Sequence, residues 1–340
     1  MSVNDPITPE PLLQLGLGFM ASKTLLSAVE LGVFTVLAGG GRDRASLAAE
    51  VGLHTRSSGD FLDALVSLGV LTRDADGVYA NTPAADLFLD RAKPSYVGGI
   101  LEMANARLFG FWSNLTDALR TGAQQNEVAR SGAPFFVTLS QDPVAWRNFL
   151  NGMNGVSTPL AGALAADFDW TGRRHVIDLG GALGAVPAAV LRANPDITGA
   201  VFELPPVQPV FEEFVAAHGL TGRLAFHGGD FFSDPLPEAD VYVMGQILHD
   251  WNLEQRLVLL QKAYDALPEG GTLIVYDAMI DDERRHNTYG LMLSLNMLID
   301  TEGGSEYTVA DATGWLRTVG FAKVEARHLT GGYSAVYATK

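Results

Sequence analysis

From about residue 170 onward, short apolar runs alternate with helix-spaced segments, and that alternation limits the possible folds more than any other feature. HVIDL (175–179), GAVF (199–202), LAFHG (224–228), DVYVMG (240–245) and TLIVYDA (272–278) have strand length and strand character. Helical periodicity fills the gaps near 185–193, 206–218 and 252–266. Strands joined by helices need right-handed crossovers, so the sequence predicts an α/β, doubly wound, mostly parallel sheet. A helix over about 310–319, then KVEAR and SAVYAT, predicts an antiparallel hairpin closing that sheet.

The first half reads as helical. Apolar positions at helical spacing run from Leu12 to Leu37, interrupted by Gly32 and ended by Gly39, Gly40 and Gly41. A short helix (Ser46 to Val51), a turn and a second helix (about Ser57 to Leu68) follow. Two short strands then flank Asp76-Gly77, a good hairpin signal. Helix, turn, helix and wing describe a winged helix. Aromatic-rich helix continues through Phe149. The boundary falls between 150 and 172, giving domains 1–165 and 166–340. A chain of 340 residues is comfortable for two domains.

A formal charge of −16 argues against nucleic acid or anionic membrane as a partner. The helix that would enter a DNA groove, Ser57 to Leu68, contains Asp60 and Asp63 and no Lys or Arg. Absence of cysteine excludes disulfides, thiolate metal sites and thiol nucleophiles, and fits a cytoplasmic protein. The N-terminus has no basic n-region or apolar h-region, and no run of about 18 apolar residues is found, so neither a signal peptide nor a membrane span is expected.

Ligands of an open parallel sheet bind beyond the carboxyl ends of its strands. Three such ends carry suitable groups: Asp178 with Gly180, Gly181, Ala182 and Gly184; Glu203; and Gly229-Asp230-Phe231-Phe232. Glycines let the backbone approach a ligand, and the following helix N-terminus favours a carboxylate. Glu203 can accept both hydroxyls of a ribose, while Asp230 can accept an adenine amine with Phe231 against the ring. A nicotinamide dinucleotide fits less well. Ala182 stands where the G-x-G-x-x-G fingerprint needs its second glycine, and Asp178 would sit near a diphosphate. A phosphate-free cofactor with a cationic amino-acid tail suits an acid-lined site, and S-adenosylmethionine is such a cofactor.

These residues resemble the S-adenosylmethionine-dependent small-molecule O-methyltransferases of the caffeate, hydroxyindole and acetylserotonin type. The family's D-x-G-G-G-x-G looks like Asp178 to Gly184, with Ala182 for the third glycine. D-L-P-x-V is similar to Glu203 to Val207, G-D-F-F to Gly229 to Phe232, and I-L-H-D-W to Ile247 to Trp251. G-G-x-E-R-T resembles Gly303 to Thr308, with Tyr307 for Arg. The resemblance implies a Rossmann-like class I methyltransferase sheet behind an all-helical winged-helix dimerisation domain, and hence a homodimer. It also implies S-adenosylhomocysteine as product, and adds Gly245, Gln246 and Trp251 as cofactor contacts. Many relatives carry a polar or basic residue where Gly245 stands.

Methyl transfer to a phenol needs a nucleophile held in line and a base. His249, just past the fourth strand, is the expected general base, and a histidine base needs an orienting acceptor. Asp277 ends the fifth strand on the same sheet edge; Glu306 as a second orienting carboxylate rests on the resemblance. His54, His175, His218, His227, His286 and His328 are read as structural. Asp250 is either functional or a helix cap for the segment near Asn252. The expected acceptor pocket comprises Met103, Asn105, Phe109, Trp112, Phe149, Met153, Met292, Asn296 and Met297, an apolar, aromatic lining suited to a flat aromatic substrate. No metal is expected, since no ligand spacing such as H-x-x-x-H occurs. Carbon or nitrogen methylation, or a non-methylating relative of the fold, are the alternatives.

Overall fold

The computed structural model describes residues 7–129, 132–133 and 135–340. Contacts divide the chain into two compact units, one ending at Leu108 and the other spanning Phe109–Lys340.

In the first unit the apolar stretch expected to be helical with an interruption at Gly32 forms three helices, Glu10–Gly16, Phe19–Glu30 and Val33–Ala38. Gly32 makes the second break with φ of 72°, a left-handed conformation that glycine adopts without steric cost. Strand β1 (Arg42–Asp43) leads into helix Arg44–Glu50, capped by Asp43, and then helix Thr55–Ser67. β2 (Leu71–Arg73) and β3 (Val78–Asn81) form the expected hairpin, and β1 adds to it in the order β1-β3-β2. Asp74 fixes the turn by accepting from the amides of Asp76 at 3.0 Å and Val78 at 2.8 Å. Among the described residues this small sheet is the unit's departure from an all-helical build. Phe34, Leu37, Leu47, Leu62, Leu65, Leu71 and Tyr79 form its core.

Leu12, Leu13, Leu15, Phe19 and Met20 lie outside that core, each more than half exposed. Glu10–Glu30, with mean hydropathy 1.4, is long and apolar enough to cross a membrane by length and composition. The expectation of no such stretch considered unbroken apolar runs. Here glycine, serine and threonine dilute the run with little effect on its mean, and Leu17-Gly18 divides it into two helices.

The second unit is built on a seven-stranded sheet. Its strands are β4 (His175–Leu179), β5 (Thr198–Glu203), β6 (Leu224–Gly228), β7 (Val241–Gly245), β8 (Thr272–Asp277), β9 (Lys323–Thr330) and β10 (Tyr333–Thr339), in the order β6-β5-β4-β7-β8-β10-β9. The first five pair in parallel, and β10 joins β8 and β9 antiparallel, as the tail segments predict. Successive side chains alternate between faces. Val176, Val201, Val243 and Ile274 enter one core, and Ile177, Phe202, Tyr242, Met244 and Val275 the other.

The expected boundary at 165/166 lies far from the contact boundary at 108/109. Helix Pro143–Asp167 accounts for the part of the difference nearest the sheet. Its Trp146, Leu150, Leu160 and Leu164 share a core with Val176 and Val186, so it covers the sheet. A parallel arrangement also sets the C-terminal ends of β4, β5, β6, β7 and β8 on one edge, which is where the site lies.

Candidate active site

The loop after β4 turns sharply. Gly180 and Gly184 have φ of 74° and 82°, and Ala182 between them has φ of 46°. An L side chain there costs about 1–2 kcal/mol, a cost that the glycine of the resembled motif would avoid. A side chain on Gly180 would run into Ile247, and one on Gly181 into the Asp178 carboxyl. The loop is thus held against β4 and the His249 segment.

Two carboxylates face this turn. Asp178 is 3% exposed, and burial, reinforced by the nearby charge of Glu203, pushes its carboxyl up to about 8. Glu203 accepts from the amides of Ala182 at 3.2 Å and Leu204 at 2.6 Å, yet burial still raises it to about 7. Among the described residues neither has a cation within ion-pair distance. An acid pair without a countercharge, Asp178 buried and Glu203 half-buried, suits a cationic or hydroxylated ligand.

At the third strand end, Asp230 accepts from the Phe232 amide at 2.8 Å, and the Phe202 ring fills the space a side chain on Gly229 would need. Phe231 and Phe232 meet Trp251 edge-on, at 6.2 and 4.7 Å between ring centres. The Trp251 indole nitrogen is buried without a partner. Gly245 has a reason that the sequence did not disclose. The Tyr276 ring, from the neighbouring strand, occupies the space a side chain at 245 would take. Gln246 follows with φ of 56° and donates its amide to the Tyr276 carbonyl at 3.0 Å.

His249 sits in a single turn, Leu248–Asp250, after β7, and is 5% exposed. Its Nδ1 lies 2.6 Å from Glu306 Oε1 and 3.5 Å from Asp277 Oδ1, while Asp250 Oδ1 is 3.6 Å from Nε2. Burial pulls the imidazole pKa down. The charges of Glu306, Asp277 and Asp250 outweigh it and lift the group to about 10. Asp277, itself fully buried, is raised to about 7 by burial despite the neighbouring histidine. The Tyr307 hydroxyl donates to its Oδ2. The ligand atoms of His249, Asp277 and Glu306 lie within 4.8 Å of one another, a spacing that suits a metal ion as well as a proton. The direct His249–Glu306 hydrogen bond already accounts for the closeness.

Asp250 is not a helix cap. Asn252 caps helix Leu253–Ala266 in a capping box with Gln255, leaving Asp250 partly buried beside His249 and raised to about 6 by burial. The candidate pocket residues are divided between the two units. Met103 is buried and Asn105 donates to Glu30 at 2.6 Å, both in the first unit. Trp112 Nε1 donates to Asn296 Oδ1 at 2.9 Å, and helix Thr288–Asp300, which bears Met292, Asn296 and Met297, packs on the His249 turn. Met297 is buried, whereas Met292 is 47% exposed and Phe109 38%. Phe149 stacks on Trp146, and Met153 lies one turn further along the same helix.

Arg256 escaped the sequence reading. Its guanidinium donates through Nε to the Leu248 carbonyl at 2.7 Å and through Nη2 to the Ser305 carbonyl at 2.5 Å. One signal pointed to it: an arginine one turn into the helix that follows the His249 motif.

The O-methyltransferase domain family matches residues 112–322, and the O-methyltransferase dimerisation domain family matches residues 13–91. The tetracenomycin polyketide synthesis 8-O-methyl transferase TcmO of Streptomyces glaucescens is 44% identical over 323 residues, covering 95% of this chain and 94% of that protein. The N,N-dimethyltransferase OxyT of Streptomyces rimosus is 39% identical over 270 residues, covering 79% of this chain and 78% of that one. The crystal structure of human N-acetylserotonin methyltransferase in complex with SAM superposes with a TM-score of 0.92 at 29% identity, covering 100% and 99% of the two chains.

Proposed function

The chain belongs to the O-methyltransferase family, and from that premise we propose that it methylates a phenolic hydroxyl of a small aromatic, polyketide-like substrate, with His249 handling the proton. The observation that carries this reading is the 2.6 Å pairing of His249 with Glu306, backed by Asp277. S-adenosylmethionine is the methyl donor, supplying when bound an electrophilic methyl group on a sulfonium. The donor end fits it: Asp178 and Glu203 lack a countercharge, and the Trp251 N–H lacks an acceptor. Glu203 then takes the ribose hydroxyls and Asp230 the adenine amine. Phe231, Phe232 and Trp251 flank the ring, and Asp178 with the Gly180-Gly181 backbone holds the amino-acid tail.

At the acceptor end Glu306 fixes the Nδ1 hydrogen, so Nε2 is the atom left for the substrate. A free phenol titrates near 10, close to His249, and the proton therefore moves between groups of similar basicity. The phenol oxygen gives its proton to Nε2 and bonds to the methyl carbon, whose former bonding pair leaves with sulfur. Because His249 is mostly protonated at neutral pH, kcat/KM rises with pH between about 6 and 9.

The exposed apolar face of Glu10–Glu30 lies within the matched dimerisation domain apart from its first turn, and we read it as the contact with a second copy. Nitrogen methylation is the second reading, favoured by the likeness to OxyT. Transfer of a labelled methyl group to a panel of phenols and arylamines, with products identified by mass, distinguishes the two. His249→Gln lowers phenol methylation by about 10²–10⁴-fold with adenosylhomocysteine affinity intact. A full rate in that variant removes His249 from the chemistry.

A further inference from the structure

Arg256 is 4% exposed, and among the described residues no carboxylate lies within ion-pair distance of it. A buried guanidinium needs other partners. It finds the Leu248 carbonyl at 2.7 Å, the Ser305 carbonyl at 2.5 Å and the Ser305 hydroxyl at 3.2 Å. Leu248 and Ser305 each immediately precede a member of the central pair, His249 and Glu306. The two loops also meet directly. The Ser305 amide donates to the His249 carbonyl at 2.8 Å, and a side chain on Gly304 would run into that same carbonyl. Aromatic faces complete the setting, with the guanidinium 5.0 Å from the Tyr307 ring centre and 5.2 Å from that of Trp315.

The resembled G-G-x-E-R-T motif carries an arginine where this chain has Tyr307. Here Arg256, from the following helix, lies over the face of that tyrosine. We propose that Arg256 is a positioning residue for proton handling: it clasps the loops of His249 and Glu306 in register and places one positive charge beside the surrounding carboxylates. This inference rests on the assignment of His249 as the proton-handling group.

The groups facing His249 are Asp250 from its own turn, Asp277 from β8, and Glu306 and Tyr307 from the opposing loop. Arg256 comes from the following helix, with Asp300 beyond Asp250, and Tyr333 of β10 near Glu306 and Asp277. Arg256 is the only arginine or lysine in this set. Its removal leaves the carboxylates' field on the imidazolium less opposed, so His249 holds its proton to higher pH.

The test is a histidine-ring NMR titration of the full-length, adenosylhomocysteine-bound enzyme, with the His249 signal assigned by its loss in His249→Gln. Arg256→Met should move the His249 midpoint up by about half a unit or more and lower kcat by roughly tenfold, with adenosylhomocysteine affinity changed less than about twofold. Arg256→Lys keeps the charge but not the two-pronged grip; its midpoint should match the wild type while kcat still falls. A folded Arg256→Met enzyme with the wild-type midpoint overturns the proposal. If that variant does not fold, wild-type kcat in Arg256→Lys overturns it. Midpoints can be read without an acceptor. Failure of wild-type enzyme to bind adenosylhomocysteine or methylate phenols would therefore count against the proposed function, and not against Arg256.

Discussion

Donor binding should expel protons. In the free protein Asp178 and Glu203 hold theirs up to about pH 8 and about pH 7, because burial penalises two charges with no cation nearby. A ligand bringing an ammonium group and ribose hydroxyls favours both as carboxylates. If both ionise fully in the complex, adenosylhomocysteine binding at pH 7 releases about 0.9 proton from Asp178 and about 0.5 from Glu203. The sign follows directly: the ligand selects the deprotonated form, so affinity rises with pH. Between pH 6 and 8 the gain is roughly 500-fold, about 3.7 kcal/mol. Titration calorimetry in buffers of different ionisation enthalpy counts the protons, and repeating it in Glu203→Gln should lower the count by more than the Glu203 share alone, because Asp178 also loses the neighbouring charge that helps to raise it. Heats that do not depend on buffer, with a Kd flat from pH 6 to 8, would refute the acid-pair account.

Three further outcomes are expected. Ala182→Gly should stabilise the protein by about 0.5–1 kcal/mol in urea, since relief of the left-handed φ of 46° exceeds the added unfolded-state entropy; a loss of stability would show that the loop is not strained there. Gly245→Ala should destabilise by about 1–3 kcal/mol because its Cβ meets the Tyr276 ring. The double variant Gly245→Ala, Tyr276→Val should recover part of that, and additive losses would rule out the contact. His249, raised to about 10, contributes stability that is complete below about 6.5 and disappears as pH climbs through 10. Melting temperature should thus fall more steeply over that range in the wild type than in His249→Gln, and parallel curves would contradict the raised value.

The parallel sheet was legible because four buried strands, a half-exposed edge strand and their helices leave a clear alternation, and β4 to β8 fall within a residue or so of expectation. The strand ends were legible for a related reason: they are fixed points of this architecture, so Asp178, Glu203 and Asp230 could be placed at them from order alone. Three things escaped. Helix Pro143–Asp167 looks no different in composition from the helices before it, and only its burial on the sheet assigns it to the second unit. The partnership of Gly245 with Tyr276 crosses between strands 31 positions apart, which no local pattern records. Arg256 is a single cation whose partners are backbone carbonyls, and carbonyls leave no mark on a sequence.

The two ends of the site treat charge in opposite ways, and Tyr276 lies between them. Its environment feels both Asp178 of the donor end and Asp277 of the acceptor end. The donor end has acids and no base, so it holds protons until a cation arrives. The acceptor end has one imidazole among Asp250, Asp277 and Glu306, so it holds a proton on the group to which the proposed function gives the substrate's proton. On the proposed reading, a cationic donor draws the protons off Asp178 and Glu203. Its own charge and the carboxylates it exposes act on His249 with opposite sign, so the donor end returns little net field to the imidazole. What keeps the proton on His249 is local, the charges of Glu306, Asp277 and Asp250. In that reading the phenol's proton is taken up by the small neutral fraction of the imidazole, which is why the rate should climb with pH.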